Sequence, residues 1–405
     1  MMRSLFSCVA GLRNHQLKMD VIGNNIANVN TIGFKKSRVT FQDTLSQTIR
    51  GATSPRGNMG GSNPQQIGLG VAVSTIDVLH TQGSSETTGK ITDLMIDGDG
   101  FFIVGDGRNN FFTRAGNFDF DRDGNLVNPD GLLVMGWMAD NTGNINTMLP
   151  IGRINIPRGK SIQPRATTSA VYVNNLDSGM AVDSYWDTIL PVYDSQGNEY
   201  AVTIRFTKRG VNTWDVTTTT AGFTLPPGLQ ITFKPDGTFN SVVGGPAVLT
   251  ATPPGVNPIR VNLDFSQMTQ FASPCTARYN TQDGYASGVL EGYSIDTAGV
   301  ITGRFSNGLT QKLAQVAVAN FNNPAGLLKM GGNLYAYSNN SGEPQIGPAG
   351  TGGRGDIVPG KVEMSNVDLS EEFTQMIITQ RGFQANSRII TTSDEMLQEL
   401  VNLKR

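Results

Sequence analysis

The sequence predicts a mainly β, multi-domain protein with α-helical termini, the two helices forming a coiled coil. Three observations carry this. Apolar residues recur at three-then-four spacing only near the two ends of the 405-residue chain, the interior alternates apolar with polar residues, and glycine-based turns punctuate the alternating runs.

The N-terminal helix is predicted from Leu5, Cys8, Leu12, Met19, Ile22, Ile26 and Val29, an a/d seam that only His15 interrupts. At about three and a half heptads it is long enough for a coiled coil. Gly33, just past Asn28, Asn30 and Thr31, reads as its stop. At the other end, Asp368 with Glu371 three residues later reads as a capping box. Leu369, Phe373, Met376, Gln380, Phe383, Ser387 and Ile390 follow, then Met396, Leu397, Leu400 and Leu403. Gly382 inside this helix costs about 1 kcal/mol relative to alanine.

In the interior, Tyr200, Val202, Ile204 and Phe206 alternate with Ala201, Thr203, Arg205 and Thr207, one face for a core and one for solvent. Turns recur at Asp97-Gly98, Asp123-Gly124, Asp130-Gly131, Asp236-Gly237 and Asn307-Gly308, and the 48 glycines suit such turns. Short strands at this spacing indicate sandwich or barrel domains. Two Gly/Ser/Pro-rich stretches, 50–70 and 338–360, read as linkers or extended arms.

Composition narrows the function. Lys+Arg at 31 against Asp+Glu at 33 leave no basic field for nucleic acid or an anionic membrane. No apolar run reaches the ~18 residues that membrane insertion needs. The start of the chain, with Arg3 before an apolar 4–12, lacks a cleavage site, so export would proceed without a cleaved signal peptide. Cys8 and Cys275 read as free thiols.

No enzyme chemistry is legible. Only His15 and His80 occur, without a triad context, and no Cys/His spacing suits zinc, so no cofactor, metal or catalytic residue is assigned. Asp119, Asp121, Asp123, Gly124 and Asp130 mimic a helix–loop–helix calcium loop, but strand-like flanks at Phe118, Phe120, Leu126 and Val127 make a β-turn the better reading. Arg354-Gly355-Asp356 is read as a chance match to an integrin-binding tripeptide.

What remains is assembly. Each terminal helix carries an apolar seam that it cannot bury alone, and a two-helix hairpin leaves part of each seam exposed. The seams could pack on the chain's own β body, as ordinary amphipathic helices do. Burial by further copies would instead repeat one head-to-tail contact into a helical filament. The assembly residues on this reading are Leu5, Leu12, Met19, Ile22, Ile26, Val29, Leu369, Phe373, Met376, Phe383, Ile390, Leu397 and Leu400.

Motifs at both ends resemble signatures of bacterial flagellar rod and hook axial proteins. They are Asn28, Asn30, Thr31, Gly33, Phe34 and Lys35, then Ser365, Asn366 and Asp368, and finally Arg381, Gly382 and Phe383. Asp99 to Phe102 and Phe112 to Phe118 resemble that family's first β domain. The resemblance implies terminal helices at 1–30 and 366–405, linker arms at 31–70 and 338–365, and a first β domain at 71–144 and 285–337. An outer β domain, 145–284, is inserted into the first. Rod proteins of the family are expected to be shorter, so this insertion implies the hook: a flexible, curved, hollow, torque-transmitting tube outside the cell. Terminal helices would line its channel and β domains its outer layers. The implied partners are further copies, the rod, hook-filament junction and hook cap proteins, and the flagellar type III export apparatus. A distal rod component and a secreted β-domain adhesin are the alternatives.

Overall fold

The computed structural model describes residues 2–55 and 60–402, without the side chains of Met2, Arg3 and Leu400. Leu400's side chain and all of Leu403 therefore lie outside the described part of the predicted seam.

Helix α1 (Met2–Ala27) opens the chain and α2 (Leu369–Asn402) closes it. Asp368 caps α2, its Oδ1 accepting the amides of Ser370 at 2.8 Å and Glu371 at 3.2 Å. Glu371 does not complete the box; its carboxylate accepts Lys36 Nζ at 2.8 Å.

The chain then forms an antiparallel ribbon. Strand β1 (Ser37–Asp43) pairs with β4 (Val71–Val78), and β2 (Ser46–Arg50) with β3 (Gln65–Gly68). The stretch 50–70 is therefore not simply a bare arm: Arg50 and residues 65–68 belong to the far part of this ribbon. Its near part is fastened to α1. Asn25 Oδ1 accepts the Ser37 amide at 3.0 Å, and Asn14 Nδ2 donates to the Val71 carbonyl at 2.6 Å.

By contacts the chain divides into two units, one of 1–157, 294–302 and 312–405, the other of 158–293 and 303–311. In the first, β5 (Ser85–Thr87), β6 (Leu94–Asp97), β7 (Phe101–Gly105) and β8 (Asn110–Thr113) follow the ribbon. Strand β7 is central, flanked by β8 and by Leu133–Met138, with Leu334–Ala336 beyond β8. Phe101, Ile103, Phe112, Trp137, Phe321 and Tyr335 fill the core beneath. The stretch 338–360 also differs from an arm: Gln345–Pro348 pairs with Thr310–Asn320, and Asp356–Pro359 with β6. Just beyond it, Lys361–Glu363 pairs with β5.

The loop that mimicked a calcium site is a hairpin, Asp119–Phe120 pairing with Leu126–Val127. Asp121 is consumed by it, accepting the Asn125 amide at 2.7 Å and Asn125 Nδ2 at 2.8 Å. Arg354 of the integrin-like tripeptide folds back onto its own turn, donating to the Pro348 carbonyl at 3.0 Å.

The second unit holds two five-stranded sheets. Glu199–Gly210 shows the predicted alternation, with Val202, Ile204 and Phe206 buried. Phe206 meets Tyr172 and Phe265 of the facing sheet at ring-centroid distances of 5.7 and 5.9 Å, an edge-on aromatic cluster at the centre of a sandwich.

Candidate assembly interface

The two helices run antiparallel. Lys18 Nζ donates to Gln375 Oε1 at 2.9 Å and Asn25 Nδ2 to Glu372 Oε2 at 3.1 Å. Further along, His15 lies on Gly382 and Gly11 on Asn386: a Cβ at Gly382 would stand 2.9 Å from the His15 ring, and one at Gly11 2.7 Å from Asn386 Nδ2. Glycine on each helix lets the backbones approach where a side chain would hold them apart. Gly382 thus recovers in packing what it costs in helix propensity.

The seam between the helices differs from the predicted one. On α2 the buried side chains are Glu372, Thr379 and Ser393, small or polar. Leu369, Phe373 and Phe383 are exposed, and Met376, Ile390 and Leu397 are half-buried. On α1, Ile22 and Cys8 are buried while Leu5, Leu12, Met19, Ile26 and Val29 are half-buried. Phe6, Val9 and Leu17 are exposed, as are Ile377, Ile378, Ile389, Met396 and Val401 on α2. A single chain leaves most of the large apolar residues described on α2 substantially exposed.

Where both ends meet the β body, the signature residues gather. The Gly33 amide donates to the Glu363 carbonyl at 2.8 Å. Asn366 Oδ1 accepts the Lys36 amide and its Nδ2 donates to the Leu79 carbonyl, both at 2.8 Å. Phe34 is buried under Lys329 Nζ, 5.0 Å from the ring centroid. Asn28 and Thr31 bond each other within the turn, Ser365 is buried, and Asn30 and Arg381 face solvent.

Beneath them lies a charge cluster that sequence patterning did not single out. Lys35 Nζ reaches Glu363 Oε1 at 2.5 Å and the Thr81 carbonyl at 2.7 Å. The Gly83 amide donates to the same Oε1 at 2.8 Å. Arg114 Nη1 donates to Glu363 Oε2 at 3.3 Å, and its Nη2 to the Gly98 carbonyl at 2.7 Å. Lys35 and Glu363 are both fully buried. Burial pulls the Lys35 ammonium below its ordinary range, against which the Glu363 charge holds it. Burial likewise lowers the Arg114 guanidinium, again opposed by Glu363. His80 stands beside them, 5.5 Å from Phe101 and 5.4 Å from Tyr335 between ring centroids. Its pKa is lowered to about 4, first by burial and then by Lys35, Arg114 and Lys329.

Gly33 sits where this junction is tight and its backbone is left-handed. Its φ is +68°, and a Cβ there would stand 2.5 Å from the Ala115 amide nitrogen. Gly33→Ala is expected to destabilise the first unit by at least about 1–3 kcal/mol, from the left-handed backbone and the backbone clash together. Calorimetry checks this: the melting transition of the first unit falls, and an unchanged transition contradicts the close approach.

Among the described residues no three or more His, Cys, Asp or Glu side chains gather as metal ligands. No described helix is long and apolar enough to cross a membrane.

Comparison with known proteins covers the chain from end to end. The family described as Flagella basal body rod protein matches residues 8–35, and Flagellar basal body rod FlgEFG protein C-terminal matches 358–403. Flagellar hook protein FlgE/F/G D1 domain matches 95–175, and Flagellar basal body protein FlaE D2 domain matches 164–285. The flagellar hook proteins FlgE of Borreliella burgdorferi and Treponema pallidum are 44% and 42% identical, with full coverage of both chains in each case. The flagellar basal-body rod protein FlgG of Bacillus subtilis is 34% identical over the whole of both chains. A crystal structure of Helicobacter pylori flagellar hook protein FlgE2 shares the fold at TM-score 0.51 and 16% identity, covering 67% of this chain and 98% of that one. With full-length relatives at this identity and family matches at both helical ends and in both β regions, the chain belongs to the flagellar hook protein family.

Proposed function

We propose that the chain is a structural subunit of the bacterial flagellar hook, polymerising through its terminal helices into a flexible, curved, hollow tube that joins rod to filament and transmits torque. The observation that carries this reading is the helix pair: α2 meets α1 through Glu372, Thr379 and Ser393, while Leu369, Phe373 and Ile378 stay in water. Such a surface is covered when copies stack. The role is structural, without catalysis. The partners proposed are further copies, the rod, the hook-filament junction and hook cap proteins, and the type III export apparatus, which places the chain in the flagellum outside the cell. A distal rod role draws support from the Bacillus subtilis rod relative, but its 34% identity stands below the 44% of a hook relative.

The test is electron microscopy of the full-length chain, concentrated in a kosmotropic salt that strengthens apolar association. Hollow tubes are expected. A chain that stays dispersed at every concentration, or gives only amorphous aggregate, contradicts the proposal.

A further inference from the structure

The exposed apolar residues of α2 are not one stripe but two. At about 100° of turn per residue, Glu372, Thr379, Asn386 and Ser393 share the bearing that meets α1. Leu369 and Phe373, 41% and 47% exposed, lie to one side of that bearing. Ile378 and Ile389, 58% and 43% exposed, lie to the other, with Met396. Arg381, Arg388, Glu395 and Glu399 occupy the side opposite α1, all exposed, and Ile377, 58% exposed, shares that side one turn after Phe373. A helix with one apolar flank needs one further neighbour; this one has two flanks, separated by α1 behind and, past Ile377 at the edge of the first flank, by charge in front.

We infer that each α2 makes two different contacts with two further copies, the Leu369/Phe373 flank of one packing on the Ile378/Ile389 flank of the next. The charges argue for a second copy of this chain as the occupant. Parallel helices in register would set Arg381 against Arg381 and Glu395 against Glu395, which repel. A stagger of about 11–14 residues, or about 17–21 Å, sets Arg381 near Glu395 and Arg388 near Glu399. Staggered contact of unlike flanks is head-to-tail and does not close on itself as a two-fold dimer does. A dimer would also cover one flank and leave the other wet. The inference rests on the proposed polymer, and it specifies which residues of α2 carry the sideways contacts.

The experiment uses two full-length double variants, Leu369→Gln with Phe373→Gln, and Ile378→Gln with Ile389→Gln. Because all four side chains are exposed, both variants are expected to match the unaltered chain in circular dichroism and melting temperature. A variant that does not is replaced by Phe373→Gln or Ile378→Gln alone. At a concentration where the unaltered chain forms tubes, each variant alone is expected to sediment as a monomer. An equimolar mixture, which retains one intact flank of each kind, is expected to give a two-copy complex and nothing larger. Tubes from either variant alone overturn the inference, as does self-pairing of either variant or a mixture that stays monomeric. Failure of the unaltered chain to polymerise counts instead against the proposed function, so the two failures are distinguishable.

Discussion

Replacing Glu363 with alanine is expected to lower the melting transition of the helix-bearing unit sharply while leaving the transition of the two-sheet unit in place. One carboxylate there accepts Lys35, Arg114 and the Gly83 amide, with Lys35 and Glu363 wholly buried. Assembling such a cluster brings little net stability, because desolvation of the charges offsets most of their attraction. Removing one member is another matter. Two buried cations would then lose the carboxylate they share, and breaking a buried pair in this way costs about 3–5 kcal/mol. Differential scanning calorimetry separates the units, since the second draws its core from Trp214, Phe206 and Phe265, which take no part in the cluster. A loss shared equally by both transitions, or no loss, would contradict the assignment. The consequence for assembly is direct. Glu363 ends β5's partner strand and precedes α2, while Lys35 follows α1, so their pairing sets how both helices leave the β body.

The second large effect is acid lability centred on His80. Its pKa falls from 6.5 to about 4 on folding, because burial and three cations disfavour the imidazolium. Once unfolded, the ring binds its proton more readily, so this contribution is complete above pH 6.5 and drains away as pH falls towards 4. The shift corresponds to about 3 kcal/mol of the first unit's stability lost across that window. The groups facing the ring are Lys35, Arg114 and Lys329, with Phe101 and Tyr335 as aromatic walls. His80→Gln removes the titration and is expected to flatten the pH dependence of that unit's melting temperature between pH 6.5 and 4. Parallel pH profiles for the two proteins would show that another group controls the acid response.

The sequence made the ends and the interior legible for different reasons. Helices α1 and α2 announce themselves locally, through apolar spacing and the Asp368 cap, and alternation at Val202, Ile204 and Phe206 marks a half-buried strand in any context. Pairing between distant segments leaves no such trace. The stretch 338–360 looked like an arm because composition records turns, whereas its strands pair with β6 and Thr310–Asn320 across long sequence separations. The same limit hid the charge cluster, since Lys35 and Glu363 lie 328 residues apart. The only available signal was a charge set within each end motif, beside Phe34 and Val362. The buried face of α2 escaped notice for a related reason. Apolar spacing finds the faces that seek burial, but it does not reveal that α1 offers Gly11, His15 and Asn25, which select small and polar partners.

Hydrogen exchange along α2 tests the account most directly. In dilute monomer the amides of residues 374–399 should exchange readily, because a helix leaning on α1 through a thin polar seam opens easily, while the amides of β7 stay protected. In the polymer the same helix should become strongly protected. Equal protection of α2 in the monomer and the polymer would mean that one molecule alone holds its last helix in place, and neighbouring copies would then contribute nothing to it.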